Sequence, residues 1–210
     1  MPLFIYHFAW TVVVILLLPF LPLMRKGRIL ERLGWRLPSR LFSDKTAWVH
    51  ALSVGEVLSS LPLIEALKQA YPSKKIVLTV TTPQGMKIAR KKLGGKVDAI
   101  LTMPLDFWWS MGRVVRCIDP DIFLLVETDL WPGLIYRLKK KGVPALLLNG
   151  RISPRTFRAY RRFPALVRSM LNTLNECLMQ SDLDRERLLR IGVERGKVKT
   201  LGNINRIQST

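Results

Sequence analysis

Very little in this chain could bind a metal or carry a redox couple. Its two cysteines, Cys117 and Cys177, lie far apart and match no CxxC or Cys/His ligand spacing. They read as small core residues in a reducing compartment. Its two histidines, His7 and His50, are too few and too scattered to form a metal site. No GxGxxG and no GxxxxGKS/T occurs, so neither nucleotide-binding fingerprint is present. Internal repeats and low-complexity segments are absent. Acidic residues are scarce, 15 against 34 lysines and arginines, and between Leu3 and Met24 there is no charged residue of either sign.

What is present follows from those gaps. The formal charge of +19 draws the protein toward phosphate, whether on nucleic acid, on anionic lipid or on a phosphorylated substrate. Hydrophobic residues make up 49%, which excludes a disordered chain. The uncharged start spans roughly 33 Å as a helix, enough for a bilayer core of about 30 Å. Pro19 and Pro22 sit near its exit, and Arg25, Lys26, Arg28, Arg32, Arg36 and Arg40 follow it. A cleaved signal peptide fits poorly, because no charged region precedes the apolar run and no Ala-x-Ala site follows. The expectation is a transmembrane anchor over 1–24 and a basic juxtamembrane segment over 25–46, with the rest on the cytoplasmic side against anionic headgroups. A buried apolar hairpin followed by a solvated basic helix is the plainer alternative.

Beyond the start, strand-like and helix-like stretches alternate. Strands are expected at Trp48–Val54, Ile76–Thr81, Ala99–Met103, Ile122–Val126, Ala145–Leu148, Cys177–Gln180 and Val198–Leu201. Helices are expected at Val57–Tyr71 (starting at or kinking near Pro62), up to Leu93, at Trp108–Cys117, Leu130–Lys141, Arg155–Leu174 and Asp182–Ile191. Strands that are apolar throughout and separated by helices argue for an α/β fold, a doubly wound parallel sheet covered on both faces.

Ligands bind such sheets at the carboxyl ends of the strands where the order reverses, which for the order 3-2-1-4-5 is between strands 1 and 4. Strand 1 runs into Ser53-Val54-Gly55-Glu56, and strand 4 into Glu127-Thr128-Asp129-Leu130-Trp131-Pro132. Each delivers a glutamate to the same crevice with no basic neighbour to pair it. Two converging carboxylates suit glycosyl chemistry, one taking the proton of an attacking hydroxyl while the other organises it or supports cationic character at the sugar. Capping of helix N-termini remains the competing account of both. The loop after strand 5, Asn149-Gly150-Arg151-Ile152-Ser153, brings Arg151 to the same edge, where a guanidinium can grip phosphate or carboxylate. A solvated arginine is the plain alternative there.

These stretches, in order, resemble the 3-deoxy-D-manno-octulosonic acid (Kdo) transferases, which add Kdo to the lipid A precursor. The resemblance rests on Trp48-Val49-His50-Ala51 leading into Ser53-Val54-Gly55-Glu56, then Thr81-Thr82-Pro83-Gln84-Gly85, then Glu127 to Pro132. Asn149 to Ser153, Tyr160-Arg161-Arg162-Phe163, Gln180-Ser181 and Gly202-Asn203 complete it. It implies the N-terminal Rossmann-like domain of a GT-B glycosyltransferase, covering 47–203, with 204–210 as a truncated tail. It implies Glu56 as general base, Glu127 in support of the transition state, and Ser53, Gly55 and Arg151 as substrate-binding residues. It also implies CMP-Kdo as donor, inverting transfer, and neither cofactor nor metal.

Two departures shape the expectation. The family continues into a second domain that binds CMP, and this chain stops where that domain should begin. Where the family reads Gly-Asn-Leu-Lys-Phe-Asp, this sequence reads Gly202-Asn203-Ile204-Asn205-Arg206-Ile207, with asparagine in place of the lysine. The chain is therefore expected to be an inner-membrane, single-pass acceptor half that presents the lipid A precursor, meets CMP-Kdo only through a missing C-terminal domain, and is inactive alone. A non-catalytic module that binds lipid A precursor or scaffolds other enzymes is the alternative; a nucleic-acid-binding role leaves the anchor and the paired glutamates without a place.

Overall fold

The computed structural model describes Tyr6, Thr11, Val12 and residues 30–204. Seven strands alternate with helices. They are β1 (Thr46–Ala51), β2 (Lys75–Val80), β3 (Ala99–Thr102), β4 (Pro120–Val126), β5 (Ala145–Gly150), β6 (Glu176–Met179) and β7 (Val198–Thr200). The helices are α1 (Val54–Ala70), α2 (Pro83–Leu93), α3 (Trp108–Ile118), α4 (Pro132–Lys140), α5 (Pro154–Tyr160), α6 (Pro164–Leu171) and α7 (Asp182–Ile191). The strands form one sheet in the order β3-β2-β1-β4-β5-β6-β7, and all paired neighbours run parallel. The order reverses between β1 and β4, where the chain has gone out to one edge and returned.

Parallel strands are covered on both faces, and the side-chain alternation along each strand divides the core in two. Ala47, Val49, Ile76, Leu78, Leu124 and Val126 face α1 and α2 through Val57, Ile64, Ala89 and Leu93. Trp48, Val77, Phe123, Leu125 and Leu147 face the other way, onto Met111, Val114, Leu134, Leu138, Val167 and Leu171. Trp48 is wholly buried and meets Phe123 edge-on at 4.9 Å. Each such large side chain stabilises the fold by about 1.5–3 kcal/mol on burial.

Local chemistry sets several helix starts. Thr82 caps α2 by accepting from the Gly85 N–H at 3.1 Å, Ser153 caps α5 through Thr156, and Ser181 caps α7 through Asp184. Two sequence expectations change here. The helix expected over Arg155–Leu174 is two helices, α5 and α6, broken at Phe163; Pro164 lacks an N–H and drives its predecessor out of the helical region (φ −131°, ψ 55°). Helix α1 begins at Val54 and runs through Pro62, so the proline does not mark its start.

Residues 30–45 lie on the domain. The Leu105 N–H donates to the Arg32 carbonyl at 2.7 Å, the Leu41 N–H to Cys117, and Leu37, Leu41 and Phe42 pack on the core. The anchor expected over 1–24 falls almost wholly outside the described residues; among the described residues no helix is long and apolar enough to cross a membrane. The position of Asn205 lies outside them too.

Candidate functional site

At the carboxyl edge of β1, β4 and β5 lies a cleft of about 350 Å³, lined by Leu52, Glu56, Glu127, Thr128, Asp129, Arg151, Ser153 and Thr156. It sits at the order reversal, so loops from three adjacent strands converge on it. The structure brings together Glu56, Glu127 and Arg151 of the sequence-expected residues. Ser53 and Gly55 do not line the cleft. They form the turn into α1, where Ser53 stands at the N-cap without capping through its side chain and a side chain at Gly55 would enter open space.

Glu56 projects from the first turn of α1 and is buried. One carboxylate oxygen accepts from the Leu52 N–H, two residues ahead of the helix, and so ties α1 to the end of β1. Burial pushes its carboxyl up to about 7, and the charges of Glu127 and Asp129 push the same way against the Leu52 bond. Glu127 is not a helix cap, since α4 starts only at Pro132. It holds a left-handed backbone (φ 60°) at the end of β4. Burial raises its carboxyl too, opposed by the Arg151 guanidinium. Neither glutamate is in an ion pair with a cation among the described residues.

The loops are tied to one another. The Thr128 hydroxyl donates to the Arg151 carbonyl, and the Tyr160 hydroxyl donates to the Thr128 carbonyl at 3.3 Å. The Ile152 N–H donates to Asp184 at 2.8 Å, which anchors the Arg151 loop on α7. The β1 and β2 loops also touch, because a Cβ on Gly85 would lie 3.1 Å from the Ser53 carbonyl carbon. Among the described residues no group of three or more His, Cys, Asp or Glu is placed to hold a metal ion.

Sequence reasoning missed Leu52, Thr128, Asp129, Ser153 and Thr156 as cleft residues. Asp129 and Ser153 stand inside the two stretches that flagged Glu127 and Arg151, so period-2 neighbours of a flagged residue were the available signal. Thr156 carried none.

A family model described as 3-deoxy-D-manno-octulosonic-acid transferase (kdotransferase) matches residues 27–207. A 3-deoxy-D-manno-octulosonic acid transferase from Haemophilus influenzae is 30% identical over 179 residues, which is 85% of this chain and 42% of that one. A bifunctional glycosyltransferase/methyltransferase from Fusobacterium nucleatum is 32% identical over 95% of this chain and 31% of its own length. The chain thus spans about two-fifths or less of these relatives. Among solved structures, a UDP-GlcNAc 2-epimerase from Neisseria meningitidis bound to UDP-GlcNAc shares the fold over 77% of this chain and 47% of its own, with a TM-score of 0.56 at 14% identity.

Proposed function

The chain belongs to the 3-deoxy-D-manno-octulosonic-acid transferase family, and we propose that it is the acceptor-side domain of a GT-B enzyme that moves Kdo from CMP-Kdo to a lipid A precursor with inversion. The donor is held by a second domain outside these 210 residues, and the domain works against the inner membrane. The observation that carries this reading is Glu56: a carboxyl at the order reversal, buried in a cleft that Glu127 and Asp129 also line, with its proton affinity raised to about 7. A base whose pKa lies near the working pH is both deprotonated often enough and basic enough to be useful.

In this reaction the acceptor hydroxyl oxygen forms the new bond to the anomeric carbon as the bond from that carbon to the CMP phosphate oxygen breaks. The bonding pair leaves on the phosphate, from the face opposite the attack. The hydroxyl proton goes to Glu56. Glu127 places a second carboxylate where positive character grows on the sugar ring, and Arg151, exposed at the rim, meets a phosphate of the acceptor.

The test is CMP release and product formation by the full chain alone and by the chain paired with the donor domain of a related Kdo transferase. Activity in the pair and none in the chain alone supports the reading, because closure of two domains is what aligns the reactants. Turnover by the chain alone rejects the division of labour, and a pair that binds both substrates yet transfers nothing rejects the reaction.

A further inference from the structure

His50 is wholly buried near the end of the interior strand β1. A histidine there is unexpected on packing grounds, since the flanking positions Trp48, Val49 and Ala51 are apolar core. Its ring bridges the interior and the cleft. Nδ1 lies 2.8 Å from the Thr79 hydroxyl and 3.2 Å from the Thr79 carbonyl, the residue directly opposite on β2. Nε2 lies 3.3 Å from Asp129 Oδ2. The Trp48 indole N–H donates to the same Thr79 hydroxyl at 2.8 Å, and the Trp131 indole N–H donates to Asp129 Oδ2 at 2.6 Å.

The direction of this chain follows from its ends. Thr79 Oγ1 accepts from Trp48, and its own hydrogen has two acceptors in reach, His50 Nδ1 at 2.8 Å and the Val49 carbonyl at 3.5 Å; given to the nearer Nδ1, it leaves the proton of the neutral ring on Nε2, aimed at Asp129. Two donors therefore converge on Oδ2, while Oδ1 accepts nothing from the protein among the described residues although Asp129 lines the cleft. Trp131 also packs edge-on against the His50 ring at 6.1 Å, so the aspartate is held between two rings that brace each other.

We infer that His50 is a positioning residue for the reaction proposed above: with Trp131 it fixes Asp129 Oδ2, so that Oδ1 is presented to a sugar hydroxyl of the acceptor beside Glu56. The inference rests on that reading for the identity of the sugar, and on the geometry alone for the braced aspartate. A carboxylate that must find its rotamer on binding loses side-chain entropy then; one already held by two hydrogen bonds does not.

The test uses the full 210-residue chain and the bisphosphorylated glucosamine disaccharide headgroup of lipid A as a soluble probe, with calorimetric binding and, in the donor-paired enzyme, steady-state kinetics. A hydrogen bond to a charged group corresponds to about a 10-fold or larger change. His50→Phe and Asp129→Ala should each weaken headgroup binding about 10-fold and raise the acceptor KM by as much, leaving the donor KM unchanged. His50→Gln, which reaches as far as Nε2 and keeps an N–H there, should recover binding to within about 3-fold of the parent. The double variant should bind no worse than Asp129→Ala alone, since His50 acts only through Asp129. Additive losses, or a folded His50→Phe that binds like the parent, overturn the inference, and so does a parent chain that does not bind the disaccharide. A chain that transfers no Kdo but whose headgroup binding falls in this pattern rejects the reaction and keeps the braced aspartate; normal transfer with an unaffected His50→Phe does the reverse.

Discussion

Glu127 and Asn149 end neighbouring strands in the same left-handed backbone conformation, with φ of 60° and 55°. The strands pair through Val126 and Leu148, and the Glu127 N–H donates to the Leu148 carbonyl at 2.8 Å. Asparagine tolerates this region; glutamate does so at a cost of about 1–2 kcal/mol. The strained residue is the one that faces the cleft, which is where strain is ordinarily tolerated for function.

Glu127→Gly should therefore melt no lower than the parent. Relief of about 1–2 kcal/mol of strain offsets the roughly 0.5–1 kcal/mol that glycine costs in backbone entropy. Transfer by the donor-paired enzyme should fall sharply in the same variant. A loss of more than about 1 kcal/mol in urea unfolding would show that the glutamate side chain contributes to stability and that the backbone strain is not released.

Glu56→Gln in the donor-paired enzyme should lose ~10²–10⁴-fold in kcat, the usual range for a general base. In the parent, rate should rise with pH through about 7, because the working form is the carboxylate and burial, with Glu127 and Asp129, holds the proton on. Asp129→Asn removes one of those charges, so the rising limb should move to lower pH. A limb that stays in place in Asp129→Asn would show that the Asp129 charge takes no part in setting the proton affinity.

Asp106 is buried and receives the Gly133 and Leu134 N–H groups from the first turn of α4, at 2.8 and 3.0 Å, and the Tyr6 hydroxyl at 2.9 Å. Asp106→Ala leaves two helix-end donors unsatisfied and should destabilise by about 1–3 kcal/mol. Burial raises this carboxyl from 3.8 to about 6 against those three bonds. The folded state thus holds the proton more tightly than the unfolded chain. Its contribution to stability is fully present below about 4 and is lost as pH rises through about 6. Urea midpoints between pH 4 and 7 should show that fall in the parent and a flatter trend in Asp106→Ala.

Gly85 sits where the β1 and β2 loops meet, and an added Cβ would lie 2.9 Å from both the Thr82 hydroxyl and the Val80 side chain. Gly85→Ala should destabilise by about 1–3 kcal/mol as the loops part. Because Ser53 opens α1, headgroup binding and transfer should fall together with stability. An unfolding midpoint equal to that of the parent would mean the loops have room to yield.

Arg151→Ala should weaken binding to vesicles containing lipid A precursor about 10-fold more than to vesicles of ordinary anionic lipid, the scale of one charge-assisted phosphate contact. Raising the salt should narrow the difference, since exposed charges are screened over about 8 Å at physiological ionic strength. Equal losses on both vesicles would assign Arg151 to general membrane attraction.

Strand identity, parallel pairing and the reversal between β1 and β4 were legible in the sequence, because apolar runs of strand length punctuated by glycine, proline and asparagine admit few topologies. The stretches ending β1, β4 and β5 pointed to the cleft edge for the same reason: in a parallel sheet the chain order alone places those ends together. The α5–α6 break was legible in principle at Pro164 but was hidden by the basic periodicity around it. Which side chains enter the cleft was legible only in part: Glu56, Glu127 and Arg151 line it. Ser53 and Gly55 precede Glu56 in one motif yet do not line the cleft, because the turn into α1 points only Glu56 inward. The bond from His50 to Asp129 spans 79 residues and depends on the register of β1 against β4 and on a loop conformation after β4. Composition and spacing determine which loops meet. Only the packed sheet, by fixing rotamers and excluding water from Glu56, decides which atoms within those loops face each other and how strongly they hold their protons.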